Sequence, residues 1–407
     1  MVYFQQRSLT IAAAQIMPVL ALTQMQIGWL QWAFVVSYGC LQLAGGITGQ
    51  RWGARRTLVT TGLAAVAATV AVPLAPTVLS GTALFTALLI AQFALGAAHA
   101  PFFPVTAGVL QVWLPSKRWA LAQGVQQFGA QCGAALAPPI IAFLMEAFGW
   151  QRALFWTSLS ALGLIALWAW YARNTPQAHP SVSAAELATL DDRVNAPPDI
   201  KVNIRRILRL AGQRNIYLLT ISYICMNYVF YLLSNWTFLY LIQERHFAIL
   251  ESGWLAALPP LGAALGSAAG GWLTDISFAH VGLRWGYRLV PLFALPGAAV
   301  LLCIAVYSGN AYISVAALAL CFTSIELTEG AYWASTMRIA QGDTMTAGGI
   351  LNTGGNFGGI IGIPLAAYFS GHQAWDAAFN IGIAFALTAA ITWFGVDVTR
   401  IRPEQAT

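Results

Sequence analysis

Two glutamates and one histidine lie inside apolar segments of the sequence. Glu326 and Glu329 are three positions apart in one such segment, and His99 lies in another. Residues three or four apart share a face of a helix, so the two carboxyl groups are expected to lie side by side. Ionisable groups are unfavourable in a lipid-spanning helix and usually mark a functional site. We interpret the three as candidates for proton binding and release, with hydrogen-bonded packing as the alternative for His99.

Uncharged polar residues also recur at helical spacing in apolar segments. Tyr38 and Gln42 are four residues apart, as are Asn227 and Tyr231, and Asn352 lies in a glycine-rich segment. Such stripes predict a polar wall that faces a small molecule, although a hydrogen bond between helices explains any single residue equally well. Further stripes are Gln92, Gly96, His99 and Phe103; Gln123, Gln127 and Gln131; Glu326, Glu329 and Trp333; and Asn352 and Asn356.

The segments that carry these residues are long enough to cross a membrane. Of the 407 residues, 58% are hydrophobic and only 8% are charged, whereas a soluble domain has roughly 25% charged residues. The apolar surface must therefore face lipid, and about twenty apolar residues span a bilayer. We predict an all-α membrane protein with twelve transmembrane helices at 3–22, 27–47, 57–77, 83–112, 120–145, 153–172, 215–240, 252–273, 289–308, 311–337, 346–369 and 377–396.

The basic residues sort to one side of this topology. With the N-terminus placed inside, most of the 20 Lys and Arg residues fall in cytoplasmic loops, while Arg152 and Arg245 lie on the other side. Because Lys and Arg favour the cytoplasmic side, we expect a multi-pass protein of the cell membrane with both termini in the cytoplasm. The net charge of +6 is then a signal of topology, and no nucleic-acid partner is expected.

The two halves of the sequence repeat each other. Residues Ala44-Gly45-Gly46 recur 225 positions later as Ala269-Gly270-Gly271. The copies lie six spans apart, which predicts two six-helix bundles related by internal duplication. We place the N-terminal bundle at 1–172, a cytoplasmic linker at 173–213 and the C-terminal bundle at 214–407. Many secondary transporters are built this way, with the substrate site near the midplane between the halves.

The linker is the longest polar segment of the sequence. Its residues 200–213 read IKVNIRRILRLAGQ and could form a basic amphipathic helix that lies on the inner leaflet. A solvated linker between the two halves is the simpler interpretation.

The loop after the second span carries a motif. Residues 45–56 read GGITGQRWGARR and resemble the G-x-x-x-D-R-x-G-R-R signature of the major facilitator superfamily, with Gln50 in place of the usual Asp. The second copy keeps the acidic residue as Asp275. The resemblance in organisation covers the whole chain and implies that fold. Because an acidic side chain there can cap a helix end and gate the half-interface, Gln50, Arg51 and Asp275 are candidate gating residues.

Within the superfamily the sequence resembles the anion:cation symporter branch, which includes sugar-acid transporters and sialin-like proteins. The matching pieces are residues 100–104, 113–118, 183–187 and 351–359. The resemblance implies that Arg7 in the first span grips a substrate carboxylate and that Tyr38 and Asn352 match positions that contact substrate. Three charged positions of the branch are altered here, to Gln6, Gln92 and His99.

Arg7 has a competing interpretation. Only six residues precede it, about 9 Å of helix at 1.5 Å per residue. A residue at the midplane needs roughly 15 Å of helix on its cytoplasmic side. Either the sequence lacks part of the first span, or Arg7 snorkels to the inner interface instead of binding substrate.

Together these features predict a secondary active transporter of a small organic anion, a sugar acid or other carboxylate. It would work by alternating access and be coupled to protons. In this hypothesis Arg7 holds the carboxylate, and the hydroxyl groups of the substrate contact Tyr38, Gln42, Asn227, Tyr231 and Asn352. His99, Glu326 and Glu329 are the coupling candidates.

We expect a monomer in the lipid bilayer without cofactor or metal. The sequence has no G-x-x-x-x-G-K-[ST] motif for ATP, and its five cysteines have neither paired spacing nor ligand partners. An enzyme is not expected, since no nucleophile–base pair is evident. Two alternatives stay open: a proton-coupled exporter of a neutral or cationic compound, and a membrane sensor that does not transport.

Overall fold

The computed structural model describes residues 2–190, 203–247, 255 and 257–399, and within these ranges the chain is helical with connecting turns. The predicted all-α fold with twelve helices in two six-helix bundles is confirmed. The helices that form spans 1 to 7 are Val2–Leu20, Gln24–Trp52, Ala54–Leu74, Gly81–His99 with Phe102–Trp113, Trp119–Phe148, Trp150–Tyr171 and Arg214–Gln243. Leu258–Tyr307 contains spans 8 and 9, and spans 10 to 12 are Ala311–Glu326 with Glu329–Ile339, Thr344–Gly371 and Trp375–Gly395. The linker contributes the short helices Ala184–Leu187 and Ile204–Ala211.

Local sequence explains where span 2 begins and ends. Thr23 starts it with a capping box, in which the Gln26 backbone N–H donates to the Thr23 hydroxyl and the Thr23 backbone N–H donates to Gln26 Oε1. Gly53 alone separates spans 2 and 3, at φ +80°. Side chains disfavour that backbone conformation, so a glycine is needed for so short a connection.

Spans 8 and 9 differ from the sequence prediction. A loop was expected between 273 and 289, but helical structure runs through it from Leu258 to Tyr307 and is interrupted only at Gly282, which has φ +76° and ψ −177°. The 50 residues would measure about 75 Å if straight, more than twice the bilayer core. The chain therefore turns back at Gly282. Hydropathy detects the lipid-facing part of a helix, and these helices continue into water beyond it.

The two halves touch through glycines at equivalent positions. A Cβ built on Gly46 would overlap the Met345 carbonyl oxygen, and a Cβ on Gly271 would overlap the Ala120 carbonyl oxygen. Gly46 and Gly271 are 225 residues apart, as are Ala120 and Met345. The two contacts are thus copies of one another, so the duplication seen in the sequence is also a symmetry of the interface.

A second pair of contacts follows the same rule. A Cβ on Gly124 would overlap the Ser267 carbonyl oxygen, and one on Gly349 would lie 2.9 Å from the Gln42 carbonyl oxygen. These positions are again related by the 225-residue offset. Span 2 therefore crosses span 11, and span 5 crosses span 8, at backbone contact. Small residues at such crossings are the usual means of close helix packing in membranes.

One end of the bundle carries most of the basic residues, and we call it the basic end. The connections between spans 2 and 3, 4 and 5, 8 and 9, and 10 and 11 lie there, together with the linker. They carry Arg51, Arg55, Arg56, Lys117, Arg118, Arg284 and Arg288. Arg152 and Arg245 lie at the other end, which we call the opposite end.

We predict that the basic end faces the cytoplasm. In a variant whose native cysteines are replaced by serine, Ser181→Cys in the linker should react with a membrane-impermeant maleimide only after the cells are permeabilised. Ser80→Cys, between spans 3 and 4, should react in intact cells; both serines are exposed. The reverse pattern would overturn the orientation.

Candidate functional site

A cavity of about 670 Å³ lies between the two halves. Spans 1, 2, 4 and 5 contribute one wall, and spans 7, 8, 10 and 11 contribute the other. The lining includes Gln31 near the start of span 2, Asn235 near the end of span 7, and Pro260 at the start of span 8. All three lie toward the opposite end. The cavity therefore extends from the middle of the bundle toward that end, while glycine contacts hold the halves together near the basic end.

Glu329 lies on the cavity wall and is held by two donors. Its carboxylate accepts hydrogen bonds from the Tyr223 hydroxyl, at 3.0 and 3.2 Å to the two oxygens, and from Trp333 Nε1 at 3.0 Å. The side chain is 3% exposed. It is also the first residue of the second helical segment of span 10. The unpaired N–H groups at that helix start favour a negative charge there.

Glu326 ends the first segment of span 10 and also lines the cavity. It is 1% exposed, and its Oε2 makes no hydrogen bond to any described residue. A buried carboxyl oxygen without a partner is unfavourable unless a proton, a donor group of a ligand or water satisfies it. Glu329 thus has fixed hydrogen-bond donors, whereas Glu326 Oε2 is available to a proton or to a donor group of a ligand.

Amide and hydroxyl groups cover much of the remaining wall. The Tyr231 hydroxyl donates to Asn356 Oδ1 at 2.8 Å, and Asn356 Nδ2 donates to the Asn352 carbonyl oxygen at 2.7 Å. Asn227 Nδ2 donates to the Tyr223 carbonyl oxygen at 2.9 Å. The wall formed by spans 1, 2, 4 and 5 adds Gln92, Gln127 and Gln131. Amides both donate and accept, so this lining suits a small ligand with several hydroxyl or oxyanion groups.

Two of the residues expected to bind substrate, Tyr38 and Gln42, have different surroundings. Tyr38 lines the cavity, stacks on Phe34 with ring centres 5.7 Å apart, and lies close to Asn352. Gln42 is fully buried one turn further on, where span 2 crosses span 11. It is absent from the cavity lining, and its side chain lies next to Tyr38. The structure therefore places Gln42 in the interface below the cavity.

His99 lies away from the cavity wall. Its Nε2 is 3.0 Å from Gln5 Oε1, and its ring meets Phe34 edge-on with centres 6.0 Å apart. Phe34 lines the cavity, whereas the 4% exposed His99 is not part of the lining. No described residue hydrogen-bonds its Nδ1. His99 is thus packed behind Phe34 and joins span 4 to span 1.

The first turns of span 1 lie at the same depth in the bundle as His99 and the cavity. Gln5 contacts His99, which is the last residue of the first helical segment of span 4, and Gln6 and Leu9 line the cavity. Residue 7 belongs to this helix. The side chain of Arg7, on which the sequence prediction of anion binding depends, lies outside the described residues.

The equivalent positions Gln50 and Asp275 both join the halves at the basic end. Gln50 Nε2 donates to the Gly342 carbonyl oxygen at 2.6 Å. Asp275 accepts from the backbone N–H groups of Ala120 and Leu121 at 3.3 and 2.8 Å. Asp275 thereby caps the start of span 5. The third gating candidate, Arg51, is exposed in the same region.

Gln111 adds a further link at the basic end that the sequence analysis missed. Its Nε2 donates to the Met337 carbonyl oxygen at 2.6 Å, and its Oε1 accepts from the Thr344 hydroxyl. It ties span 4 to both sides of the connection between spans 10 and 11. No periodic signal marks this residue in the sequence.

Tyr223 is the other functional residue that was missed, although a signal exists for it. It lies four residues before Asn227, on the stripe that continues to Tyr231 and Asn235. Extending the stripe by one turn toward the N-terminus would have found the hydroxyl that binds Glu329.

The family model for the Major Facilitator Superfamily matches residues 1–345 of the sequence. The chain belongs to this superfamily. It is 27% identical over 360 residues to a probable sulfoacetate transporter of Cupriavidus necator, covering 88% of this chain and 82% of the relative. It is 25% identical to the hexuronate transporter of Bacillus subtilis, with coverage of 96% and 90%, and 24% identical to a probable galactarate/D-glucarate transporter of Escherichia coli, with coverage of 88% and 82%.

Solved structures support the same fold. The xylose:proton symporter XylE superposes with a TM-score of 0.77 at 11% identity, covering 97% of this chain and 93% of that one. The fucose symporter FucP in its outward conformation gives 0.74 at 15% identity, with coverage of 97% and 98%. At these identities the likeness concerns the fold alone. Family and relatives together make this chain a multi-pass membrane transporter rather than an enzyme, and its relatives include carriers named for organic anions.

We predict that Gly271→Val destabilises the conformation closed at the basic end, because the new side chain would collide with the Ala120 backbone. Overpacking costs about 1–3 kcal/mol, roughly a 5-fold to 150-fold change in the conformational ratio. In a cysteine-free background, labelling of Ser234→Cys in the cavity from the opposite end should fall accordingly. Gly129→Val is the control, because an added Cβ there would meet no atom within 4 Å outside its own helix backbone. Equal labelling in both variants would contradict the proposed seal.

Proposed function

We propose that this protein carries a small organic anion, a sugar acid or other carboxylate, into the cell in symport with protons. The observation that carries the proposal is the polar cavity at the half-interface with Glu326 and Glu329 on its wall. Relatives named for sulfoacetate, hexuronate and galactarate/D-glucarate support the anionic substrate class. The membrane is the cell membrane, the inner membrane in a Gram-negative cell, with both termini in the cytoplasm. The protein acts as a monomer.

Arg7 provides the positive charge that the anion requires. It lies in the same helix as Gln6 and Leu9, which line the cavity. A guanidinium group binds a carboxylate or sulfonate through parallel hydrogen bonds. Tyr38, Asn227, Tyr231 and Asn352 then hold the other polar groups of the substrate, and Gln42 positions span 2 against span 11.

Glu326 and Glu329 carry the coupled proton. Two neighbouring carboxylates share a proton readily, because ionising both places like charges side by side. Protonation removes negative charge beside the anionic substrate and so favours its binding, while release of the proton on the other side favours substrate release. His99 is the second candidate, but its place behind Phe34 gives it no direct path to substrate.

The described conformation fits one stage of alternating access. With the basic end in the cytoplasm, the cavity extends toward the outside and the glycine contacts, Gln50 and Asp275 close the cytoplasmic side. Transport requires these links to part while the halves close over the substrate at the opposite end. Gln50, Arg51 and Asp275 act in this gate.

One observation favours the exporter of a cationic compound as a second candidate. Among described side chains on the cavity wall, the only acidic or basic ones are Glu326 and Glu329. An ammonium group would satisfy the free oxygen of Glu326. Direct binding measurements with organic anions and amines of similar size distinguish the two candidates by ligand charge.

We predict that Arg7→Gln and Arg7→Lys abolish anion binding with similar amounts of folded protein. A hydrogen bond to a charged group contributes about 1.5–3 kcal/mol, so affinity should fall by at least about tenfold. Calorimetric titration with sulfoacetate, a hexuronate and D-glucarate measures the loss. Arg152→Gln at the opposite end is the control. Unchanged affinity in Arg7→Gln would support the snorkelling interpretation instead.

We predict that proton coupling requires the Glu326/Glu329 pair or His99. Uptake into proteoliposomes with an imposed pH gradient should lose its stimulation by the gradient in Glu329→Gln or in His99→Gln, with the larger loss in Glu329→Gln. Uptake driven by substrate concentration alone should persist. Glu146→Gln removes an exposed carboxyl group outside the cavity and is the control. Full gradient dependence in all variants would refute the assignment.

A further inference from the structure

The linker helix Ile204–Ala211 has one face docked against the protein. Leu210 is buried in the core of the C-terminal half. Arg206 forms an ion pair with Asp343, with Nε 3.0 Å from both carboxylate oxygens and Nη2 2.9 Å from one of them. Arg206 and Leu210 are four residues apart and therefore share this face.

The ion pair connects the helix to the gate. Asp343 follows Gly342, whose carbonyl oxygen accepts the hydrogen bond from Gln50 across the half-interface. Thr344, the next residue, donates to Gln111 of span 4. Three consecutive residues thus bind the linker helix and two spans of the other half. The position of the linker helix is therefore linked to the closed state of the basic end.

The other face of the helix carries apolar and basic side chains outward. Ile204 and Leu208 are each 65% exposed and lie four residues apart, turned away from Arg206. Arg205 and Arg209, also four apart, are exposed beside them. Only two residues separate the end of this helix at Ala211 from Arg214, where span 7 begins, so we expect the helix to lie close to the membrane surface. Apolar residues flanked by arginines are typical of helices that lie in an anionic lipid interface.

We propose that this face is a docking surface for anionic phospholipid and that the lipid stabilises the closed basic end. Ile204 and Leu208 enter the acyl boundary, while Arg205 and Arg209 bind headgroup phosphates. The bound lipid keeps the helix in place, and Arg206 passes this restraint to Asp343. Anionic lipid then raises the population of the conformation in which the cavity extends toward the opposite end. Charge complementarity at the membrane surface selects this partner.

The distance between spin labels at Gln177→Cys and His280→Cys tests the proposal. Both sites are exposed at the basic end. Gln177 lies in the part of the linker that packs on the N-terminal half, where His179 contacts Trp113 and Tyr171, and His280 lies in the C-terminal half. The native cysteines are replaced by serine. In nanodiscs, exchanging phosphatidylcholine for mixtures with phosphatidylglycerol should raise the ratio of molecules closed at the basic end to molecules open there about fivefold to tenfold. Arg205→Gln with Arg209→Gln should remove this response, and the corresponding double lysine variant should keep it.

Two further variants distinguish lipid binding by the linker helix from a general effect of membrane charge. Arg206→Gln should lower the closed population in both lipids and abolish the response, since the link to Asp343 is lost. Arg152→Gln should respond as the parent does. A parent without lipid response, or a double glutamine variant that keeps it, would overturn the proposal. A response to inorganic phosphate in neutral nanodiscs would assign the face to a soluble anion instead. These arms do not depend on the transported substrate, so they succeed or fail independently of the proposed function.

Discussion

The direct backbone contact between the halves at the basic end is the constraint on which the rest of the structure depends. Gly46 and Gly271 allow the carbonyl groups of Met345 and Ala120 to approach where any side chain would intervene. Such a contact is close but has little interlocking side-chain area, so it can form and part without repacking a core. With the halves joined at one end, their separation toward the other end leaves space for a cavity. Packed interfaces of this kind have discrete arrangements rather than a continuous range.

The architecture was predictable because its causes are repeated along the chain. Twelve segments each need enough apolar residues to cross lipid, and an alternation of basic loops orders them. The duplication predicted two related six-helix bundles, and the contact pairs at Gly46 and Gly271 show that the repeat extends to the interface between them. The helical connection through Gly282 was not predictable from hydropathy, since a helix outside the lipid satisfies its hydrogen bonds without apolar residues. The interruption of span 10 between Glu326 and Glu329 also depends on packing, because Leu327 lies against the backbone of Gly270.

Helical spacing predicted which faces of the helices carry the candidate site, but not which side chains on those faces reach the cavity. Helical spacing identified the stripe of Asn227 and Tyr231 and the carboxyl pair of span 10, and these residues line the cavity. The same spacing could not reveal that Phe34 stands in front of His99, or that a helix crossing covers Gln42. Periodicity defines which way a side chain points from its own helix. Which residue of a neighbouring helix lies there is a tertiary property. Only the tertiary structure revealed Gln111, and it showed that Tyr223, which continues the stripe of Asn227 and Tyr231, binds Glu329.

The two equivalent gate positions show how a duplicated scaffold acquires different halves. Asp275 accepts from two N–H groups at the start of span 5, where the helix dipole favours its negative charge. Gln50, at the same place in the other half, is neutral and reaches a carbonyl oxygen beyond span 10. A carboxylate there could not donate this hydrogen bond and would face the oxygen's partial negative charge. The substitution of Asp by Gln therefore reverses the direction of the bond while preserving a link between the halves. The contact at Asp275 therefore depends on charge. The contact at Gln50 depends on a neutral amide and, because Gly342 is followed by Asp343, on the linker helix that Asp343 binds.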